Sequence, residues 1–125
     1  MSLFKLGDFK SHSGNILSWK IECDALTEDD WQCLAVIIAK VVGPFGSVEG
    51  VPQGGLPLAT ALQRHVTHGE LLIVDDVLTT GISMEDQRYG RTAKGAVIFA
   101  RGPCPVWVKP IFKMVDLALS INTPW

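Results

Sequence analysis

The sequence contains few residues of the kinds that mark disulfide-bonded, zinc-binding or nucleic-acid-binding proteins. Its three cysteines, Cys23, Cys33 and Cys104, are odd in number, and no two of them have the close spacing of a zinc site. We therefore expect reduced thiols and no structural metal. Lys and Arg number 11 against 13 Asp and Glu, so no excess of positive charge would attract the chain to nucleic acid or to an anionic membrane.

Long apolar segments are also missing. The longest uninterrupted apolar run extends from Leu34 to Ala39, far short of the roughly 20 residues that a membrane span needs. The opening residues, MSLFKLGDFK, have neither the apolar core nor the cleavage site of a signal peptide, so we expect a cytoplasmic protein. The composition of the 125 residues, 47% apolar with a mean hydropathy of +0.25, predicts one globular domain. Mixed apolar and polar residues with turn signals at Gly7 and Gly14 predict short strands or an irregular arm over about 1–26, ahead of a core over 27–125.

Hydrophobic spacing predicts alternating strands and helices after this arm. Thr27 and Asp30 have the spacing of a capping box, and apolar residues at helical intervals predict a helix over 28–42. Strands are predicted at 46–51, 71–77 and 94–100, helices at about 56–66 and 82–92, and further strand material at 103–110 and 114–121. The alternation favours an α/β domain with a mostly parallel sheet flanked by helices.

The stretch LLIVDDVLTTGIS, residues 71–83, is the most informative part of the chain. Asp75 and Asp76 follow a buried strand, at the edge where ligands of open α/β sheets gather. Two ionised carboxylates are costly inside a core, so at least one should meet solvent, a metal or ligand hydroxyls. Residues suited to a phosphate come next, at a predicted helix start: Thr79, Thr80, Gly81 and Ser83. A strand ending in a capped turn would use similar residue types, so the pattern alone leaves both interpretations open.

The full string VDDVLTTG, residues 74–81, resembles the phosphoribosyl pyrophosphate (PRPP) signature of the type I phosphoribosyltransferases. The segment GVPQGGLPLATAL, 50–62, is similar to the pyrophosphate-binding loop and following helix of that family. The N-terminal segment 6–24 looks like the hood of the orotate phosphoribosyltransferases, so the resemblance points to this branch of the family. The glycine-rich motifs of the commonest other phosphate-binding folds are absent from the sequence.

This resemblance implies a minimal enzyme that displaces pyrophosphate from PRPP with a small orotate-like or other base. It implies the following roles: catalytic ribose-binding residues, Asp75 and Asp76; 5-phosphate-binding residues, Thr79, Thr80, Gly81 and Ser83; pyrophosphate-binding residues, Gln53, Gly54 and Gly55, with a cis peptide at Pro52–Gln53. Arg101 and Lys20 are candidates for contact with the base, although a surface role fits each of them as well. The family further implies Mg²⁺ bound mainly through PRPP, and a homodimer.

Two features depart from the family pattern. The predicted helix ends near Val66 and the next strand begins near Glu70, which leaves no room for the long mobile loop that relatives insert there. Gln53 stands where relatives usually carry Arg or Lys. Because both changes remove positive charge from the leaving group, the alternative is a PRPP- or nucleotide-binding protein with little or no transferase activity.

Overall fold

The computed structural model describes residues 2–10 and 16–114. Six strands and three α-helices follow one another in these bounds: β1 Phe4–Lys10, β2 Ile16–Ile21, α1 Glu28–Val42, β3 Ser47–Gly50, α2 Leu56–Leu62, β4 Leu71–Leu78, α3 Ile82–Arg88, β5 Ala93–Ala100 and β6 Val108–Lys113. Short 3₁₀ turns occupy Cys23–Ala25 and Gln63–His65.

The last four strands form one parallel sheet in the order β3-β4-β5-β6. Alternate residues of β4 lie on opposite faces of the sheet. Leu72 and Val74 pack with α1 and α2, whereas Ile73 packs with Met84 of α3. Because both faces are covered, β4 is apolar except at Asp75 and Asp76, as expected for a central parallel strand. The predicted α/β class and its mostly parallel sheet are thus confirmed.

The N-terminal arm is a β-hairpin, in which β1 pairs antiparallel with β2. Leu3 and Ile21 pack against the core cluster beneath α1 and α2, and Glu22 donates its N–H to the Leu3 carbonyl. Much of β1 is exposed, with Leu6 at 91% of its full accessible surface. A two-stranded hairpin is marginal by itself, so its position depends on these few attachments to the core.

Helix α1 begins and ends where the sequence predicts. Thr27 and Asp30 form the reciprocal capping box, at 3.2 Å and 2.9 Å, and the helix stops before Gly43. Helix α3, in contrast, ends at Arg88 rather than near 92, because Tyr89 and Gly90 both adopt positive φ.

Two further boundaries differ from the sequence predictions. Helix α2 proper ends at Leu62 and continues only as the 3₁₀ turn to His65. The segment 103–107 is not a strand, and β6 begins at Val108. The predicted strand at 114–121 lies outside the described residues apart from Met114, which is not in a strand.

The thiols have no disulfide partners in the part of the chain that the structure describes. Cys23 is buried, and burial together with the charge of Asp76 raises the pKa of its thiol to about 12. Over residues 2–10 and 16–114, no helix is long and apolar enough to cross a membrane.

Candidate functional site

A cavity of about 490 Å³ opens at the carboxyl edge of the parallel sheet. It falls within the size range typical of small-molecule pockets. The hairpin, the segment after β3, the end of β4, the following turn and the residue after β5 all contribute to its wall. The lining residues are Lys20, Ile21, Val51, Pro52, Gln53, Gly54, Asp75, Asp76, Val77, Leu78, Thr79, Thr80, Gly81, Ser83, Met84 and Arg101. The sheet therefore gathers segments that are far apart in sequence, as ligand sites of open α/β folds require.

Asp75 and Asp76 form an acidic pair at the floor of this cavity. The Asp76 N–H donates to Asp75 Oδ1 at 2.8 Å, and the Val77 N–H donates to Asp76 Oδ1 at 2.7 Å. Each carboxyl is therefore held by the backbone of the following residue. Asp75 keeps only 7% of its surface exposed, which makes it the one buried charged residue among those described.

The burial of Asp75 changes its protonation. Desolvation first, and then the hydrogen bond and charge of the neighbouring Asp76 carboxyl, raise the pKa of Asp75 from 3.8 to about 8. Asp75 therefore keeps its proton to a higher pH than an ordinary carboxyl group does. A protonated acid can donate a hydrogen bond as well as accept one, so the pair offers both functions to a ligand hydroxyl.

The turn after β4 brings the predicted phosphate residues together. Thr79, Thr80, Gly81 and Ser83 all line the cavity. Gly81 has φ +86°, a left-handed conformation that side-chain-bearing residues rarely adopt. The Thr80 hydroxyl accepts from the Ile82 N–H at 3.4 Å, a long bond that leaves this hydroxyl well able to bond elsewhere.

The segment after β3 forms the neighbouring wall. The Pro52–Gln53 peptide is cis, as the resemblance implies, and Gln53 and Gly54 both line the cavity. A Cβ on Gly54 would lie 2.5 Å from Asp76 Oδ2, so only glycine lets this backbone approach the carboxylate so closely. Gly55 is placed differently from its two neighbours: it lies outside the cavity lining, and its N–H donates to the Val51 carbonyl at 2.8 Å.

Two cations, Lys20 and Arg101, line the cavity within the described chain. Lys20 pairs with Glu22 at 3.2 Å. Arg101 lies over the Trp19 ring and donates to the Trp19 carbonyl, while its own backbone N–H bonds to Leu78. The lining segments 51–54 and 75–84 contribute no Lys or Arg, so positive charge is confined to the hairpin and the end of β5.

Sequence reasoning did not anticipate the apolar part of the lining. Ile21, Val51 and Met84 all contribute to the wall, yet each looks like an ordinary core residue in the sequence. The position of Val51, directly before the Pro52–Gln53 segment, is the one signal that could have indicated it. The other two reach the cavity only through the docking of the hairpin and of α3.

The connection between α2 and β4 is as short as the sequence predicts. Residues 66–70 join the 3₁₀ turn to β4, and hydrogen bonds from Thr67 to the Phe45 carbonyl and from Gly46 to the Glu70 carbonyl hold the link against residues 45–46. None of the residues in this link lines the cavity.

Solved structures with a similar fold bear on this geometry. Orotate phosphoribosyltransferase from Aeropyrum pernix matches with a TM-score of 0.71 and 22% identity, over 95% of this chain and 92% of that one. Orotate phosphoribosyltransferase from Mycobacterium tuberculosis matches with a TM-score of 0.64 and 17% identity, over 93% and 92%. UMP synthase from Leishmania donovani matches with 0.71 and 16%, over 90% of this chain but 34% of that protein.

No protein-family model and no curated protein sequence matches the chain. The structural matches nevertheless show that the chain has the phosphoribosyltransferase fold, similar to that of orotate phosphoribosyltransferases. At these identities the likeness concerns the fold alone.

The raised pKa of Asp75 predicts an unusual pH dependence of stability. The folded protein keeps this proton up to about pH 8, whereas the unfolded chain releases it near 3.8, so stability should fall as pH rises through that window. In Asp75→Asn the side chain stays neutral at every pH, so the loss of stability that the ionisation of Asp75 causes is absent. Between about pH 5 and pH 8 the variant should gain roughly 1–3 kcal/mol relative to the wild type, measured by urea unfolding. Asp86→Asn, which changes an exposed carboxylate, serves as the control, and parallel pH curves for Asp75→Asn and the wild type would refute the assignment.

Proposed function

We propose that the chain is a small phosphoribosyltransferase that binds PRPP and transfers its phosphoribosyl group to a nitrogenous base. The observation that supports this most directly is the shared cavity, in which the acidic pair Asp75–Asp76 lies between the 79–83 turn and the Gln53–Gly54 wall. A ribose carrying phosphates at both ends needs hydroxyl-binding acids flanked by two phosphate-binding segments. The cavity is lined by segments of all three kinds, and Gly54 lies against the Asp76 carboxylate.

In the proposed complex, the ribose 2- and 3-hydroxyls bond to Asp75 and Asp76. The 5-phosphate lies in the turn that contains Thr79, Thr80, Gly81 and Ser83, where hydroxyls and backbone N–H groups supply donors. The diphosphate lies along Gln53 and Gly54. In the reaction the bond between the anomeric carbon and the pyrophosphate oxygen breaks, a nitrogen of the base bonds to that carbon, and the base nitrogen loses its proton to solvent. The protein's part is to orient the reactants and to stabilise the charge that develops.

Mg²⁺ fits this arrangement as a companion of PRPP. No group of three or more His, Cys, Asp or Glu residues within the described ranges is placed to hold a metal ion. Mg²⁺ usually keeps several waters and binds substrate phosphates with one or two carboxylates, and Asp76 lies at the wall where the diphosphate is proposed to bind. When bound, the ion would neutralise part of the diphosphate charge.

A second candidate function is the binding of PRPP or a nucleotide with little or no turnover. The distribution of charge favours it: the lining segments 51–54 and 75–84 lack cations, and residues 66–70 are too short to bring any over the cavity. Departing pyrophosphate would therefore be stabilised less than in a site with basic groups, while the 5-phosphate turn would still hold its ligand.

We also propose that the protein forms a homodimer, by analogy with the family and because large apolar side chains such as Leu6 and Val106 are exposed. Sedimentation equilibrium at micromolar concentration should give twice the chain mass of 13.6 kDa. A monomer under those conditions would remove this part of the proposal.

Calorimetry tests the proposed ligand directly. Ribose 5-phosphate and PRPP with Mg²⁺ should both bind the wild type, and Ser83→Ala should weaken both by roughly five- to tenfold because a donor to the phosphate is lost. Ser47→Ala, an exposed serine at the opposite end of the sheet from the cavity, is the matched control. If the wild type binds neither ligand, both candidate functions are refuted.

A second experiment, pyrophosphate release with a panel of bases, distinguishes the two candidates. Tight binding of PRPP without release of pyrophosphate would favour the second candidate.

A cation added beside the proposed diphosphate should improve PRPP binding. Gln53→Lys is expected to tighten PRPP roughly three- to tenfold and to leave ribose 5-phosphate unchanged, since only PRPP carries phosphate at that wall. Gln63→Lys adds the same charge on the exposed 3₁₀ turn and should change neither affinity. If Gln53→Lys tightened both ligands equally, the diphosphate could not be assigned to the Gln53–Gly54 wall.

A further inference from the structure

One aromatic residue outside the cavity contacts a cation that lines it. The Arg101 guanidinium carbon lies 3.4 Å from the centroid of the Trp19 ring, and Arg101 Nη1 donates to the Trp19 backbone carbonyl at 2.9 Å. Trp19 thus holds Arg101 with both its side chain and its main chain. An arginine covered on its face by an aromatic ring still directs its N–H groups outward in the plane of the guanidinium.

Trp19 does not itself line the cavity. It lies instead in an apolar groove on the hairpin with Phe4, Lys5 and Leu6, and its ring is 6.3 Å from that of Phe4. The indole therefore contacts the cavity lining through Arg101, while its chain neighbours Lys20 and Ile21 line the cavity themselves. Arg101 is fixed from the other side by its own backbone N–H, which bonds to Leu78 at 2.8 Å.

We propose that Trp19 is a positioning residue that aims Arg101 at the base of the ligand and so sets how much the base adds to binding. This rests on the proposed function, which places the phosphoribosyl group at the other cavity walls. The fork of the guanidinium suits a planar base that presents acceptor oxygens, carbonyl or carboxylate, at its edge. Because Trp19 belongs to β2, recognition of the base depends on how the hairpin sits on the core.

The chain contains a matched comparison for this pair. Arg88 lies over the Trp107 ring, 4.5 Å from its centroid, but neither residue lines the cavity. Arg88→Gln and Arg101→Gln therefore remove the same kind of cation–aromatic contact, one away from the proposed ligand and one beside it.

The experiment compares the full chain and its variants by calorimetry with ribose 5-phosphate and with the 5′-monophosphates of uridine, orotidine, adenosine and guanosine. The quantity measured is the base increment, defined as the affinity of the tightest-binding nucleotide divided by that of ribose 5-phosphate. Trp19→Leu should reduce this increment about five- to tenfold and Arg101→Gln by at least as much, while both leave ribose 5-phosphate affinity within about twofold. Every variant at residue 19 keeps the backbone carbonyl, but Trp19→Phe also keeps a ring face and should therefore retain most of the increment. Arg88→Gln should not alter it.

Several outcomes would overturn the inference. An increment unchanged in Trp19→Leu, an equal loss for ribose 5-phosphate, or a wild type in which the base adds nothing would each exclude a positioning role for Trp19. In all three cases ribose 5-phosphate still binds the wild type, so the proposed function survives. Failure of the wild type to bind ribose 5-phosphate or any nucleotide would instead remove the proposed function, and the inference with it.

Discussion

The end of β4 imposes the constraint on which the site depends. A parallel strand that is buried on both faces carries two adjacent acids in its second half, and one of them, Asp75, remains almost completely buried. Such a group is costly unless it is neutral or hydrogen-bonded. Asp75 accepts the Asp76 N–H, and burial raises its pKa, which favours the neutral form. The backbone at Gly54 packs directly on the second carboxylate, which ties the segment after β3 to the same point. The rest of the cavity is arranged around this pair.

The distribution of charge around the acidic pair has different consequences for the binding of a ligand and for the departure of pyrophosphate. The cavity holds its cations on the hairpin and after β5, whereas the walls proposed for the two phosphate ends offer backbone N–H groups, hydroxyls and an amide side chain. The proposed binding of a phosphorylated ribose relies on such donors. Stabilising a departing pyrophosphate requires more positive charge than they supply, unless a metal ion brought by the ligand provides it. The same fold thus accommodates a slow transferase or a binding protein, and the difference lies in a few charges.

Local sequence patterns predicted most of the helices and strands. Contacts between residues far apart in the sequence determined the features that these patterns missed. The capping box of Thr27 and Asp30 located the start of α1, and the apolar run before Asp75 located a central parallel strand. The end of α3 was predicted too late: Tyr89, a residue that seldom adopts positive φ, already leaves the helix, and the neighbouring Gly90 is the local signal for this stop. Gly55 likewise looked equivalent to Gly54, but its N–H is used within the turn by Val51. The contact between Trp19 and Arg101 joins residues 82 positions apart, and no local pattern indicates which ring such a cation will meet.

The central claim is that the turn after β4 holds the phosphate of a ribose phosphate while the adjacent acids hold its hydroxyls. Titration of ¹⁵N-labelled protein with ribose 5-phosphate, followed by amide NMR, tests this most directly. The claim predicts saturable shifts concentrated in the N–H signals of residues 75–83, with the same midpoint throughout. Shifts that are confined to other parts of the chain would contradict it. The absence of any shift at millimolar ribose 5-phosphate would contradict it as well.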